Sequence, residues 1–147
     1  MKMSENKGFA VEVTSRYDAW WRYNVAIVCG CFDAAGNRVE LVSAEDRIAA
    51  VGDGLSAPPE GWRGADRRQV TLRSGVCDHI VMYVYVIPHT LPATREVDEA
   101  RPFDLRLKIA YGGKVVRDTH YRINAWSGTS LEIKLRNDGT PFTEGAG

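Results

Sequence analysis

Ile80-Val-Met-Tyr-Val-Tyr-Val-Ile87 decides how this chain is read. No position in the run favours bulk water. An extended backbone puts alternate side chains on opposite faces. One face then carries Ile80, Met82, Val84 and Val86, and the other carries Val81, Tyr83, Tyr85 and Ile87. Both faces are apolar, so the run predicts a central strand covered on both sides, by the chain's own loops or by another molecule. Tyr83, Tyr85 and Ile87 are therefore the candidate interface residues.

Flanking segments alternate more simply. Phe9 to Tyr17 places Phe9, Val11, Val13, Ser15 and Tyr17 on one face and polar residues on the other, as a half-buried strand does. Tyr23 to Phe32 repeats the pattern with Tyr23, Val25, Ile27, Cys29 and Cys31. Asp33-Ala-Ala-Gly-Asn37 is turn chemistry, and Val39 to Val42 reads as a return strand. Ser43, Asp46 and Gly52 suggest a cap, a first-turn acid and a stop for a short helix over Ala44 to Val51. Gln69 to Arg73, Phe103 to Tyr111, Val115 to Trp126 and Leu131 to Arg136 complete the strands. Two long loops interrupt them. Gly52 to Asp66 carries Pro58, Pro59 and several glycines, and Pro88 to Pro102 has an acidic middle of Glu96, Asp98 and Glu99. Loops of that length usually bind something or move. The tail from Asn137 is glycine-rich and expected to fray.

The register of one hairpin follows from the pattern. A two-residue Gly112-Gly113 loop sets Leu105 opposite His120 and Leu107 opposite Asp118, facing polar groups into the core. A three-residue Gly112-Gly113-Lys114 loop sets Leu105 opposite Tyr121, Phe103 opposite Ile123, Asp104 opposite Arg122 and Lys108 opposite Asp118. Burying a charge costs more than any cross-strand pair returns, so the second register is expected. About eight strands and at most one short helix predict an all-β chain, an antiparallel β-sandwich in a single domain over 1–147 with flexible ends. A barrel is the rival architecture.

Composition excludes several functions. Lysine plus arginine equals aspartate plus glutamate at 19 each, so no global field attracts nucleic acid or an anionic membrane. Arg63, Arg67, Arg68 and Arg73 form the one basic cluster, broken by Asp66 and lacking interleaved aromatics for stacked bases. Hydrophobic residues at 44% and charged residues at 26% are globular usage. No stretch approaches the ~20 apolar residues of a membrane-spanning helix. Met1 to Gly8 has no apolar core of a secretory signal, although a leader removed earlier would leave no trace. Cys29, Cys31 and Cys77 are odd in number, and the first two point the same way on one strand. They read as buried thiols in a reducing compartment, which predicts a cytoplasmic location.

Candidate sites are few. Cys29-x-Cys31 with Cys77 could offer soft metal ligands, but structural zinc sites favour wider spacing in a turn, so packing is the expected role. His79, His89 and His120 read as strand-end or surface residues. Asp33, Asp53, Asp98 and Asp138 lie in loops and are the candidate ligands for calcium, which takes six to eight oxygens. Of Trp20, Trp21, Trp62 and Trp126, at least two are expected in the core. Trp62 beside Arg63, and Trp126 with Asn124 and Arg122, are the candidate contacts for a carbohydrate or other small ligand, because exposed indoles stack on ligand faces. No phosphate loop, nucleophile elbow or zinc-protease motif occurs, and no residue presents itself as catalytic. No cofactor other than calcium is indicated. The expected function is protein–protein binding, self-association first, with loop-based ligand binding (carbohydrate or calcium) as the alternative.

From Tyr23 onward the order of elements resembles TerD-type tellurium-resistance and stress-response domains. The resemblance lies in the Asp33-Ala-Ala-Gly-Asn37 turn, the segment Gly75-Val-Cys-Asp-His-Ile-Val-Met-Tyr-Val-Tyr-Val86, and Phe103-Asp-Leu-Arg-Leu-Lys-Ile-Ala-Tyr111. It covers about two-thirds of the chain and implies a calcium-binding β-sandwich. The acidic loop pattern of that family is largely missing, because Gly30-Cys31-Phe32 stands where Asp-x-Asp is expected.

Overall fold

The computed structural model describes residues 8–50, 57–90, 102–125 and 127–141. The alternating segments form eight strands: β1 (Phe9–Thr14), β2 (Tyr23–Phe32), β3 (Arg38–Asp46), β4 (Val70–Arg73), β5 (His79–Pro88), β6 (Phe103–Tyr111), β7 (Lys114–Ile123) and β8 (Thr129–Arg136). They pair antiparallel in two four-stranded sheets, ordered β4-β1-β6-β7 and β3-β2-β5-β8. The inner faces meet in one core, an antiparallel β-sandwich as expected. Ile27, Met82, Val84, Leu105 and Leu107 are fully buried in it.

Trp20 and Trp21 are core plugs, carried by a single 3-10 turn at Trp20–Arg22. Around them Tyr17, Tyr23 and Phe103 pack together, Tyr17 stacking on Phe103 with ring centroids 4.5 Å apart and Tyr23 tilted 45° to Phe103 at 5.0 Å. Tyr23 Oη donates to the Ala125 carbonyl at 2.7 Å, and burial pushes its phenol well above the ordinary range.

Several boundaries differ from expectation. The helix predicted over Ala44 to Val51 is not formed in its described part, Ala44 to Ala50: β3 continues to Asp46, with Ala44 opposite Ile27 and Asp46 opposite Val25. A helix this short leaves most of its backbone groups unpaired. Extending the ladder pairs them and lays Val42 and Ala44 on the core. The other 3-10 turn, Ala65–Arg67, lies within the first long loop. β1 stops at Thr14 instead of Tyr17, because Ser15 Oγ donates to the Asp104 carbonyl at 2.7 Å and accepts from Tyr17 N, turning the chain. The tail does not fray at Asn137. Arg136 N donates to the Thr140 carbonyl, and Pro141 bridges back to Leu135.

The β6–β7 hairpin has the expected register through another turn. Phe103 faces Ile123, Leu105 faces Tyr121, Asp104 faces Arg122 and Lys108 faces Asp118. The loop, however, is the two-residue Gly112-Gly113, with Tyr111 opposite Lys114. Both glycines have positive φ, 59° and 88°, as a tight hairpin turn demands. A bulge at Ile109/Ala110 absorbs the one-residue offset. Keeping Leu105 and Leu107 inward decided the register, and the backbone supplied the shift.

Candidate functional site

β5 lies between β2 and β8, so its backbone is paired on both edges. Its inner residues Ile80, Met82, Val84 and Val86 are sealed. Its outer residues are not sealed within the chain. Tyr83, Tyr85 and Ile87 keep 36%, 37% and 42% of their surface in solvent. The two tyrosine rings lie nearly parallel, 6.4 Å between centroids, and Tyr83 Oη donates to Glu132 Oε2 of β8 at 2.8 Å.

The pairing registers extend this apolar face across the sheet. Tyr83 sits beside Val28, Tyr85 beside Ala26, and Val81 beside Gly30. Gly30 in turn faces Leu41 on β3. Of the eight large hydrophobic residues exposed among the described residues, Val28, Leu41, Tyr83, Tyr85 and Ile87 share this one face. Val39, also exposed, stands at the bulge next to them. Alternation places Glu45, Glu132, Lys134 and Arg136 on its margins. The apolar centre thus has a rim of mixed charge, to which Arg38 opposite Phe32 adds a third base. Val28 and Leu41 were missed as members, because local alternation treats the outer faces of β2 and β3 as solvated although they carry Ala26, Val28 and Phe32, and Val39 and Leu41.

The ligand candidates divide into separate places. Trp62 and Arg63 line a cleft of about 530 Å³ beside Arg67 and Gln69 of the segment before β4, Val70 of β4 and Glu45 of β3. Trp62 also packs against the core. The β3 and β4 edges on this side are the ends of their sheets. Arg122 lies on β7, across the first sheet from β4, and pairs with Asp104 at 3.4 Å. Asn124 Oδ1 accepts from Ser127 N at 3.0 Å, closing its own turn. Trp126 lies outside the described residues. A second cleft of about 580 Å³, over the outer face of the first sheet, is polar, lined by Glu12, Asp66, Asp104, Arg106 and His120. Neither cleft combines Trp62 with Arg122.

The carboxylates proposed for calcium serve their own turns. Asp33 Oδ1 accepts from Ala35 N and Asn37 N, and these bonds hold its carboxyl below the ordinary range. Asp138 Oδ1 accepts from Thr140 N and Thr140 Oγ1 with the same effect. Asp53 and Asp98 lie outside the described residues. Among the described residues no three of His, Cys, Asp and Glu are arranged to hold a metal ion. No helix among them is long and apolar enough to cross a membrane.

Two of the histidines are structural. His79 stacks on Phe32 and sits 2.7 Å from Asp78 Oδ2. His89 is buried, with Nε2 2.7 Å from the Trp21 carbonyl and Nδ1 2.7 Å from Thr90 Oγ1. His120 is exposed at the polar cleft.

No family model matches the chain, and no curated protein matches it. Two solved structures align with it over most of their length. A DUF4425 family protein from Bacteroides ovatus has 12% identity, covering 89% of this chain and 94% of that one, with a TM-score of 0.37. A DUF4425 domain of unknown function from Bacteroides vulgatus has 12% identity, covering 90% and 95%, with a TM-score of 0.39.

Proposed function

We propose that this chain works by protein binding, and that its partner is a second copy laid against the outer face of the β3-β2-β5-β8 sheet. The observation that carries the reading is the gathering of Val28, Leu41, Tyr83, Tyr85 and Ile87 on that one face. Exposed apolar residues scattered singly need no explanation, whereas a contiguous patch marks a contact surface. Tyrosines at its centre suit an interface core. Charge favours a like partner. The rim carries both acids and bases, and the chain's formal net charge is zero, so two copies meet without strong net repulsion. A two-fold axis through the patch would set apolar centre on apolar centre, with the sheets ~10 Å apart.

Light scattering and sedimentation test this. The wild type should form dimers at micromolar concentration. Tyr85→Glu is the cleaner variant, because its cross-strand neighbours Ala26 and Ser130 are uncharged. Two carboxylates facing each other across the axis should weaken association at least ~100-fold, about 2.7 kcal/mol. Tyr83→Glu should do the same, with an added strain beside Glu132. A wild type that stays monomeric at high concentration defeats the reading. So does a folded Tyr85→Glu chain that associates as the wild type does.

The cleft beside Trp62 favours a second reading, a small ligand such as a carbohydrate bound between the sheet edges, or calcium in the loops as TerD-type domains suggest. A ligand specific to the folded chain raises its melting temperature. A binding sugar at 100 times its Kd should add about 2.7 kcal/mol, and Trp62→Ala should abolish the gain. Unchanged melting with a glycan panel and with calcium removes this reading.

A further inference from the structure

The two sheets end side by side at β3 and β4. Cα atoms of the two strands come within 8 Å of each other, yet no ladder joins them. Side chains clamp the seam instead. At one end Gly75 N donates to Glu40 Oε1 at 2.8 Å. At the other, Arg68 reaches from the segment before β4 to Asp46 of β3, donating to Oδ2 at 2.6 Å and to the carbonyl at 3.1 Å. The 530 Å³ cleft beside Trp62 opens at this second clamp, with Glu45 on its β3 side and Gln69, Val70 and Thr71 on its β4 side. We propose that the cleft binds an extended peptide of mixed charge, which pairs with the outer edge of β4 as a fifth strand of that sheet.

The ladder identifies the free backbone groups. In an antiparallel pair the N–H and C=O of one residue point to the same side, and successive residues point to opposite sides. Ser74 N donates to the Phe9 carbonyl at 2.9 Å, so Ser74, Leu72 and Val70 turn toward β1. Gly75, Arg73, Thr71 and Gln69 turn away from it, which is why Gly75 N can reach Glu40. Thr71 and Gln69 thus present main-chain donors and acceptors at the cleft, and among the described residues nothing bonds them there. Free edge groups of this kind are a template for another strand. The opposite side of the sandwich, at β7 and β8, is covered. There the chain doubles back after β8, with Pro141 bridged to Leu135 and Gly139 packed against Val116 of β7.

The side chains select the occupant. Trp62 and Val70 give the cleft an apolar wall. Arg63, Arg67, Glu45 and Glu60 also line it, and no ion pair among the described residues neutralises any of the four. Arg68 and Asp46 beside them neutralise each other. A partner carrying charges of both signs complements this set. A peptide also supplies alternating N–H and C=O groups at strand spacing, which a carbohydrate lacks, so the free edge favours a peptide here. The added main chain gives affinity, and the Trp62 wall and the four charges give specificity. The site shares only Glu45 with the rim of the self-association face, so the two surfaces can be tested separately.

A phage-displayed library of random nonapeptides, selected on the folded full chain, supplies the probe. Peptides selected should bind the wild type and Tyr85→Glu alike in calorimetry. Thr71→Pro removes the outward N–H without breaking a bond to β1, as an edge position allows. It should weaken binding at least ~10-fold, the loss of one main-chain hydrogen bond. N-methylating alternate residues of the peptide should abolish binding in one register and spare it in the other, because only one set of its N–H groups faces β4. This pair of peptides decides the matter even where Thr71→Pro fails to fold. A library that yields no peptide bound by the folded chain overturns the proposal, whether or not a glycan binds the cleft. So does binding that a folded Thr71→Pro chain retains in full, that N-methylation weakens equally in both registers, or that is lost in a folded Tyr85→Glu chain.

Discussion

Gly128→Ala should destabilise the fold by at least about 4 kcal/mol, a loss reached only when a substitution forces several atoms to move. Gly128 precedes β8 and pairs with Asn124, its N–H donating to the Asn124 carbonyl at 2.9 Å. Its φ is +66°, which a side chain already disfavours. The added methyl would stand 2.0 Å from the Val86 carbonyl oxygen and 2.9 Å from Pro88 Cδ. Val86 is itself paired with Thr129, so relieving the clash means separating β5 from β8 at the end of their ladder. Gly113→Ala is the control. Its φ is +88° and nothing lies within 4 Å of the new methyl, so only the conformational cost remains. That cost is ~1–2 kcal/mol. Urea unfolding of both variants measures the difference. Equal losses would show that the close approach at Gly128 is unimportant.

Arg68→Ala should lose about 3 kcal/mol, or roughly 6–12 °C in melting temperature for a chain of this size. Arg68 is buried, and its guanidinium satisfies three acceptors. Nε donates to Asp46 Oδ2 at 2.6 Å, Nη1 to the Trp20 carbonyl at 2.7 Å and Nη2 to the Asp46 carbonyl at 3.1 Å. It also stacks on the Trp20 ring at 4.8 Å. Truncation strands two backbone carbonyls and opens space beside Trp20. The carboxylate itself contributes less, since the Asp46 side chain is 42% exposed and water replaces its partner. Asp46→Ala should therefore cost clearly less than Arg68→Ala. Arg68→Lys should not restore stability, because a single ammonium cannot reach acceptors spread around a planar fork. Calorimetry of the three variants decides it. Equal losses from Asp46→Ala and Arg68→Ala would place the energy in the ion pair instead.

Arg68 also illustrates what could not be read in advance. In the sequence it is one of four arginines in a basic cluster, indistinguishable from Arg63 and Arg67. Its burial depends on Trp20 and Asp46, which are distant in the chain and meet it only when the two sheets close. The thiols behave similarly. Cys29 and Cys31 were legible as inward neighbours on one strand, but the burial of Cys77 depends on the segment that follows β4 being bound to the end of β2, where Asp78 N donates to the Phe32 carbonyl at 2.8 Å.

The hairpin and the predicted helix mark the limits of local reasoning in opposite ways. At Gly112-Gly113 the apolar pattern specified which residues face each other, and the backbone reached that register through a bulge. At Ala44 to Val51 the cap and stop signals were genuine helix signals, yet pairing with β2 satisfied more backbone groups than one helical turn could. Local propensity yields where a long partner strand is available.

By itself the sequence indicated most of the strands and their inward faces, and favoured two layers while leaving a barrel open. Period-two alternation is a local property, and transferring apolar side chains out of water leaves little choice about which face turns inward. Only the tertiary structure decided the candidate site. Val28, Leu41, Tyr83, Tyr85 and Ile87 come from three strands, and their adjacency depends on register and strand order, which no single segment encodes.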